Sequence, residues 1–380
     1  MTDRPSGSSP ERATSSSPSA RLPRRRLLVG AIAAIAAACG AGRDASDPPT
    51  AAPDREPPPD PPPPPEELPD PPEPPDEPDE PETGHPPAPD AVPDYVVSEQ
   101  ETHPNAKALG AAVAQALLTW EVGEDLPEVV ARATNDRAVD DDVAVAEELW
   151  HPDSWSRGEV VYPQFGGLTQ ERCSIMAVVR QTVGRADGTE LTHVRTLDVR
   201  LRLRDGAWSF EKLASGGGTP VERPDDLPAE ADAVLDDERI VLPDTARWDI
   251  HAGITTAPLL AAMSRFADLS GGYEVNVLDT GHPRNVFGTD RRSDHTRGRA
   301  VDIHAIGGNL VIEDRAEGSG TDRAVEAMYA DEARPILGSP WALDGFGGRS
   351  FTDPVHQDHV HLAVPRPADE GDVPDEELAP

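Results

Sequence analysis

Ser293-Asp294-His295-Thr296-Arg297-Gly298-Arg299-Ala300-Val301-Asp302 is the stretch that decides the fold and chemistry of the C-terminal part of this 380-residue chain. It reads S-x-H-x-x-G-x-A-x-D. A second cluster follows far downstream, His356-Gln357-Asp358-His359-Val360-His361. A single histidine is more often a solvated or core side chain than a ligand. Two clusters of imidazole and carboxylate together are the donor types that bind zinc. Working outward, Ala300 to Ile306 reads as a strand, as does Tyr273 to Leu278. Helical spacing marks Ala257 to Ala267 and Thr321 to Glu332, and His359 to Val364 reads as a final strand. Short strands with helices outside them predict an α+β domain over residues 239–366.

The two motifs together resemble the zinc D-Ala-D-Ala carboxypeptidase and murein endopeptidase group, which shares its metal site with hedgehog domains. The likeness covers about the last third of the chain. It implies a zinc ion held by His295, Asp302 and His361, the positions that match the family's ligands. Three protein ligands leave the fourth position to water, as catalytic zinc requires. Gly298 would let His295 fold back towards Asp302 on the following strand. Two residues compete to be the base that takes the water's proton and passes it to the leaving amine. Asp358 stands three before the last ligand, where the family carries an acid, and is favoured. His359 stands two before it, on the same strand face, and would be its transition-state partner. Thr280-Gly281-His282-Pro283-Arg284-Asn285 occupies the place of the family's S-G-Y-R-S segment. Arg284 would thus contact substrate or the developing oxyanion, with Arg291 and Arg292 as rivals. His304 shares a strand face with Asp302, and Gly345 to Arg349 would form a loop beside the cleft.

Residues 101–221 read as a separate α+β domain. Helical spacing over Ala106 to Glu121, Leu126 to Ala133 and Val143 to Trp150 gives way to strands. These are Glu159 to Tyr162, Ser174 to Val183, Leu191 to Arg204 and Trp208 to Leu213. Asp187-Gly188 and Asp205-Gly206 sit between them as hairpin turns. Leu197, Val199, Leu201 and Leu203 alternate with Asp198, Arg200 and Arg202, as in a strand with one wet face. Helices followed by a curved antiparallel sheet resemble the cone-shaped nuclear-transport-factor-type fold, which implies an accessory role. A linker over 222–238 separates the two domains.

The N-terminal part is of another kind. Arg24-Arg25-Arg26 precede the apolar run Leu27 to Ala38, which ends at Cys39. A basic region, a short apolar region and small residues make a signal peptide over residues 1–39. Spanning a membrane takes about 20 apolar residues, more than this run offers. The paired arginines suggest twin-arginine export. Ala36-Ala37-Ala38-Cys39-Gly40 resembles a lipobox, which implies lipidation of Cys39 and anchoring at the outer face of the membrane. Plain secretion is the alternative. Residues 40–100 form a linker dense in Pro, Asp and Glu, and residues 367–380 an acidic tail. Neither buries enough apolar area to offset the entropy of ordering it. At about 3.1 Å per residue in polyproline form, the linker could reach on the order of 100 Å.

The formal net charge is −36, with much of it in the linker and tail. Acidic composition argues against nucleic acid, whose phosphates need clustered Lys and Arg. Cys39 and Cys173, the only cysteines, are placed too differently to form a disulfide framework. The expected function is a zinc peptidase acting on peptidoglycan stem peptides or cross-links. A non-catalytic zinc module recognising wall peptides or a protein partner is the second reading. A purely structural zinc site ranks last, because such sites close with four protein ligands.

Overall fold

Asp205 and Gly206 both adopt positive φ, 52° and 80°, the backbone of a two-residue type I′ turn. The turn joins β3 (Glu190–Arg204) to β4 (Ala207–Ser215), with Leu203 opposite Trp208. β1 (Ser154–Leu168) and β2 (Arg172–Arg185) complete an antiparallel sheet in the order β1-β2-β3-β4. This computed structural model describes residues 84–345 and 348–366. Cys39, the signal segment, most of the acidic linker, the tail and Phe346-Gly347 lie outside them.

β1 is far longer than the expected Glu159 to Tyr162. Pro163, Gly166 and Gly167 obscure it in the sequence. They are tolerated because β1 is an edge strand, and its register shifts near Val160 and Phe165 absorb the irregularity. α1 (Pro104–Leu117), α2 (Leu126–Thr134) and α3 (Asp140–Ala146) accompany the sheet. Leu117, Leu118, Val130 and Leu149 meet Phe165, Ile175, Leu197 and Leu201 in one core. Cys173 is buried in it as well.

The second half begins with α4 (Ala229–Leu235), β5 (Ile240–Val241), α5 (Asp244–His251), α6 (Ala257–Ser270) and β6 (Tyr273–Val277). After a long loop come β7 (Ala300–Ile306), β8 (Asn309–Leu310), α7 (Gly320–Tyr329), β9 (Ile336–Gly338), β10 (Ser350–Phe351) and β11 (Val360–Ala363). The strands form a mixed sheet in the order β10-β9-β11-β7-β6-β5, with β8 beside β7. Met263 and Phe266 of α6 and Val325 of α7 pack on Val275, Ile303 and Leu362. The architecture is α+β throughout. Among the described residues no helix is long and apolar enough to cross a membrane.

The segment 222–238, expected as a linker, is corrected here: it carries α4, and Ala231, Val234 and Leu235 are buried in the second core. Their i, i+3, i+4 spacing makes a short apolar stripe that the surrounding Pro and Asp conceal. The two sheets belong to one compact unit, Asp76–Pro380. Polar groups join them. Thr196 Oγ1 donates to the carbonyl of Asn276 at 2.6 Å, and Asn276 Nδ2 donates to that of Met176 at 3.2 Å. Phe287 fills the space left by Gly167, where a Cβ would lie 2.1 Å from it.

Candidate metal centre

β7 and β11 pair antiparallel with Asp302 opposite His361. That register alone puts a carboxylate and an imidazole side by side, and a slip of one residue would turn one of them away. His295 comes from the single 3-10 turn just before β7. The Ser293 hydroxyl accepts the His295 N–H at 3.3 Å, which holds the start of that turn. Gly298 ends it with φ 65°, and a Cβ there would lie 2.0 Å from the Ile254 carbonyl oxygen. The serine and glycine of the motif therefore serve geometry, and its histidine and aspartate serve chemistry.

Three atoms converge. His361 Nδ1 is 2.9 Å from Asp302 Oδ1, His295 Nε2 is 3.2 Å from the same oxygen, and the two ring nitrogens are 3.1 Å apart. Donors bonded to one tetrahedral ion at about 2.0–2.1 Å stand about 3.3 Å from each other, so the spacing fits. Burial opposes charge on His295, but Asp302 outweighs it and raises its pKa above the ordinary imidazole value. His295 Nδ1 lies 2.5 Å from the Leu278 carbonyl and must donate to it. A neutral His295 is then an acceptor at Nε2, facing a carboxylate oxygen that is also an acceptor. A proton or a cation has to lie between them. Burial pushes Asp302 up, but the imidazoles of His295 and His359 outweigh it and hold its carboxyl well below the usual range. Burial pulls His361 down to about 4, so no proton competes for its nitrogen near neutral pH.

His282 was not singled out by its sequence position. Its ligand atom and those of His295 and Asp302 all lie within 4.8 Å of one another, a group able to hold a metal ion. Its ring is stacked on that of His295, with centroids 3.9 Å apart and planes 14° from parallel. A nitrogen lone pair lies in its ring plane. Two parallel rings cannot both aim at one ion between them, so His361 makes the better third donor in this geometry.

Beside the triad stands a buried pair. His359 Nδ1 donates to Asp358 Oδ1 at 2.5 Å, and its Nε2 faces Asp302 Oδ2 at 3.7 Å. The other Asp358 oxygen accepts the Phe165 N–H at 3.0 Å and lies 2.5 Å from Lys107 Nζ. Burial pushes Asp358 up, but Lys107 and His359 outweigh it and hold it deprotonated. Burial opposes charge on His359, yet Asp302 and Asp358 outweigh it and raise its pKa above the ordinary imidazole value. Asp358, the favoured base on sequence grounds, thus has both oxygens engaged, while His359 Nε2 has no hydrogen-bond partner nearer than that carboxylate.

Four further side chains complete the surroundings. Gln164 Nε2 donates to Asp302 Oδ2 at 2.7 Å. Tyr162 donates to Glu101 at 2.7 Å and stacks on His304 at 5.1 Å, so His304 faces Tyr162 and Glu274. His356 packs 4.9 Å from His359 and is held by Asp353. The side chains of His356 and His361 are 16% and 14% exposed, so solvent reaches the cluster past these two rings.

Arg284 does not join the triad. Its exposed side chain lines a separate cavity of about 470 Å³ with Arg172, Arg200 and Phe287. Its carbonyl accepts from Ser293 N–H and Thr296 Oγ1, which ties the backbone of this segment to the motif. The loop thereby delivers His282 to the cluster and leaves Arg284 outside. Arg292 is bound to Thr296 and braces the same loop. No protein family, curated protein or solved structure matches the chain. The likeness to the zinc peptidases therefore rests on the two sequence motifs.

Proposed function

We propose that the chain is a zinc-dependent peptidase hydrolysing peptide bonds in peptidoglycan, of the D,D-carboxypeptidase or endopeptidase type. One observation carries the reading: His295 Nε2, Asp302 Oδ1 and His361 Nδ1 meet within 3.2 Å, beside a histidine oriented by a buried carboxylate. A zinc ion held by the three would supply Lewis acidity towards a peptide carbonyl and acidify the attacking water. His359 takes the water's proton at Nε2 and returns it to the leaving amine. Asp358 fixes the tautomer by accepting Nδ1–H and stabilises the ring while it is charged. The burial of His359 and Asp302 keeps bulk water from competing for that proton. Substrate enters from the side of His356 and His361.

The substrate class draws on the motif resemblance together with the signal-peptide pattern, the lipobox-like sequence at Cys39 and the Pro/Asp/Glu-rich linker. A domain anchored through that segment at the outer face of the membrane would meet stem peptides and cross-links of the wall. The second reading, a non-catalytic zinc module for wall peptides or a protein partner, draws on the same three donors, which could hold an ion whether or not a base acts beside it.

Metal content of the exported chain, beside His361→Ala, separates these when purified peptidoglycan is digested with the same samples. One tightly bound zinc lost in the variant, with new peptide ends from wild type alone, supports the peptidase. Zinc without digestion favours the binding module. A wild-type chain that takes up no zinc ends both.

A further inference from the structure

Gln164 and Lys107 reach the site from the first half of the unit, and the role assigned to them rests on the peptidase reading above. We propose that the metal centre is shared between the two sheets: Gln164 and Lys107 are positioning residues, and the first half of the unit is part of the enzyme.

Gln164 and Phe165 are consecutive residues of β1, the edge strand of the first sheet. The side chain of Gln164 holds Asp302, and the main-chain N–H of Phe165 holds Asp358. One strand edge therefore reads both carboxylates of the site. An edge strand carries N–H groups that its own sheet leaves unpaired, and here one of them is satisfied by the carboxylate that orients the base.

The contact with Asp302 sets its mode of use. Oδ1 faces the two imidazoles, and Oδ2 accepts from Gln164 at 2.7 Å. Only the NH₂ end of an amide can donate to a carboxylate, so the orientation of Gln164 is determined. Its Oε1 is buried with no protein partner, which leaves the contact with Asp302 as the purpose of the side chain. With Oδ2 tied, Asp302 cannot rotate and presents one oxygen. Outer partners of this kind commonly change metal affinity 10- to 100-fold when lost.

Lys107 acts one step further out. It is fully buried and lies 2.5 Å from both Glu101 Oε2 and Asp358 Oδ2, and 3.3 Å from the Tyr162 hydroxyl. A lysine with no solvent contact needs paired anions, and one of the two is the carboxylate that orients His359. With Oδ2 occupied by Lys107 and Phe165, Oδ1 is the oxygen left for His359 Nδ1.

The test uses the full exported chain. Gln164→Met keeps length and removes the donor. Zinc affinity is read by competition with a chromophoric chelator, and the melting temperature of the metal-free protein is read beside it. The expected result is zinc affinity weakened about 10- to 100-fold with metal-free melting unchanged, which a merely structural glutamine would not produce. For Lys107, the double variant Lys107→Met/Glu101→Gln removes one charge of each sign. The expected result is a kcat lowered about tenfold or more, as for a loosened base, with KM and zinc stoichiometry retained. Zinc affinity of Gln164→Met within about twofold of wild type, with wild type binding zinc and digesting peptidoglycan, overturns this inference alone. Wild type without zinc overturns the inference and the peptidase reading together. If the double variant fails to fold, the Gln164→Met arm still decides.

Discussion

The imidazole of His282 lies flat on that of His295, with ring centroids 3.9 Å apart and planes 14° from parallel. His295 is thereby clamped on its face by one ring and at its Nδ1 by the Leu278 carbonyl. Its Nε2 can then point in one direction, towards Asp302 and His361. His282 itself is held well below the ordinary imidazole pKa, by burial first and by neighbouring His295, which suits a neutral stacking partner.

Replacing His282 with phenylalanine keeps the stack and removes the nitrogen. Zinc affinity of His282→Phe is expected to stay within about threefold of wild type, measured by chelator competition. A fall of 100-fold or more would make His282 a ligand and close the site against catalysis.

The division of labour between His359 and Asp358 gives different signatures. His359→Gln should keep its zinc and lose about 10²- to 10⁴-fold in kcat, the usual worth of a general base. Asp358→Asn should also lose kcat, and in addition melt earlier, because Lys107 is left in a buried network with one anion fewer. Breaking a buried pair from one side costs about 3–5 kcal/mol. Steady-state rates beside calorimetric melting distinguish the two, and an Asp358→Asn protein with wild-type stability would contradict the Lys107 contact.

Gly298 is required by geometry. It sits at φ 65°, and a Cβ would lie 2.0 Å from the Ile254 carbonyl. Gly298→Ala should destabilise the fold by about 2 kcal/mol or more, read from urea unfolding. The Thr256 contacts to the Gly298 carbonyl, at 2.8 and 2.9 Å, should weaken with it.

Acid sensitivity has a source far from the metal centre. Burial first, then Arg185 and Arg195, pulls His151 down to about 4, and its Nε2 is buried without a partner. The unfolded chain takes up that proton near pH 6.5. The folded pKa is the lower one, so stability is fully present above pH 6.5 and is lost as pH falls towards 4. After allowance for screening, the loss should be about 1–2 kcal/mol. His151→Gln should flatten the pH dependence of unfolding between those limits. An identical pH profile in the variant would place the acid sensitivity elsewhere.

Much of this arrangement is legible in the residues. Asp205-Gly206 gives its turn because both positions need positive φ, and Ala300 to Ile306 gives β7 to the residue. His295, Asp302 and His361 lie together, the set that the motif resemblance implied, although His361 is 59 residues from Asp302 in the chain. Lys107 left a faint trace: it shares a helix stripe with Gly110, Ala111, Ala114 and Leu117, where a lone lysine on the buried side needs a partner. Gln164 left none, since its partner is 138 residues away and the strand carrying it is broken up by Pro163 and two glycines. Asp358 and His359 stay ambiguous in the sequence for the same reason, because the contacts that distinguish them come from Phe165 on β1 and Lys107 on α1.

The contact between Phe165 and Asp358 joins positions 193 residues apart, and β11 is the last strand of the described fold. During synthesis, Asp358 and His361 leave the ribosome long after the first sheet has been made. Pairings of such separation are closed late, because their loop entropy must be met first. A nascent chain therefore holds its first sheet before the cluster around Asp302 can close. On the proposed peptidase reading, hydrolysis would wait until β11 has paired with β7, and the chain would be inert while it is being made.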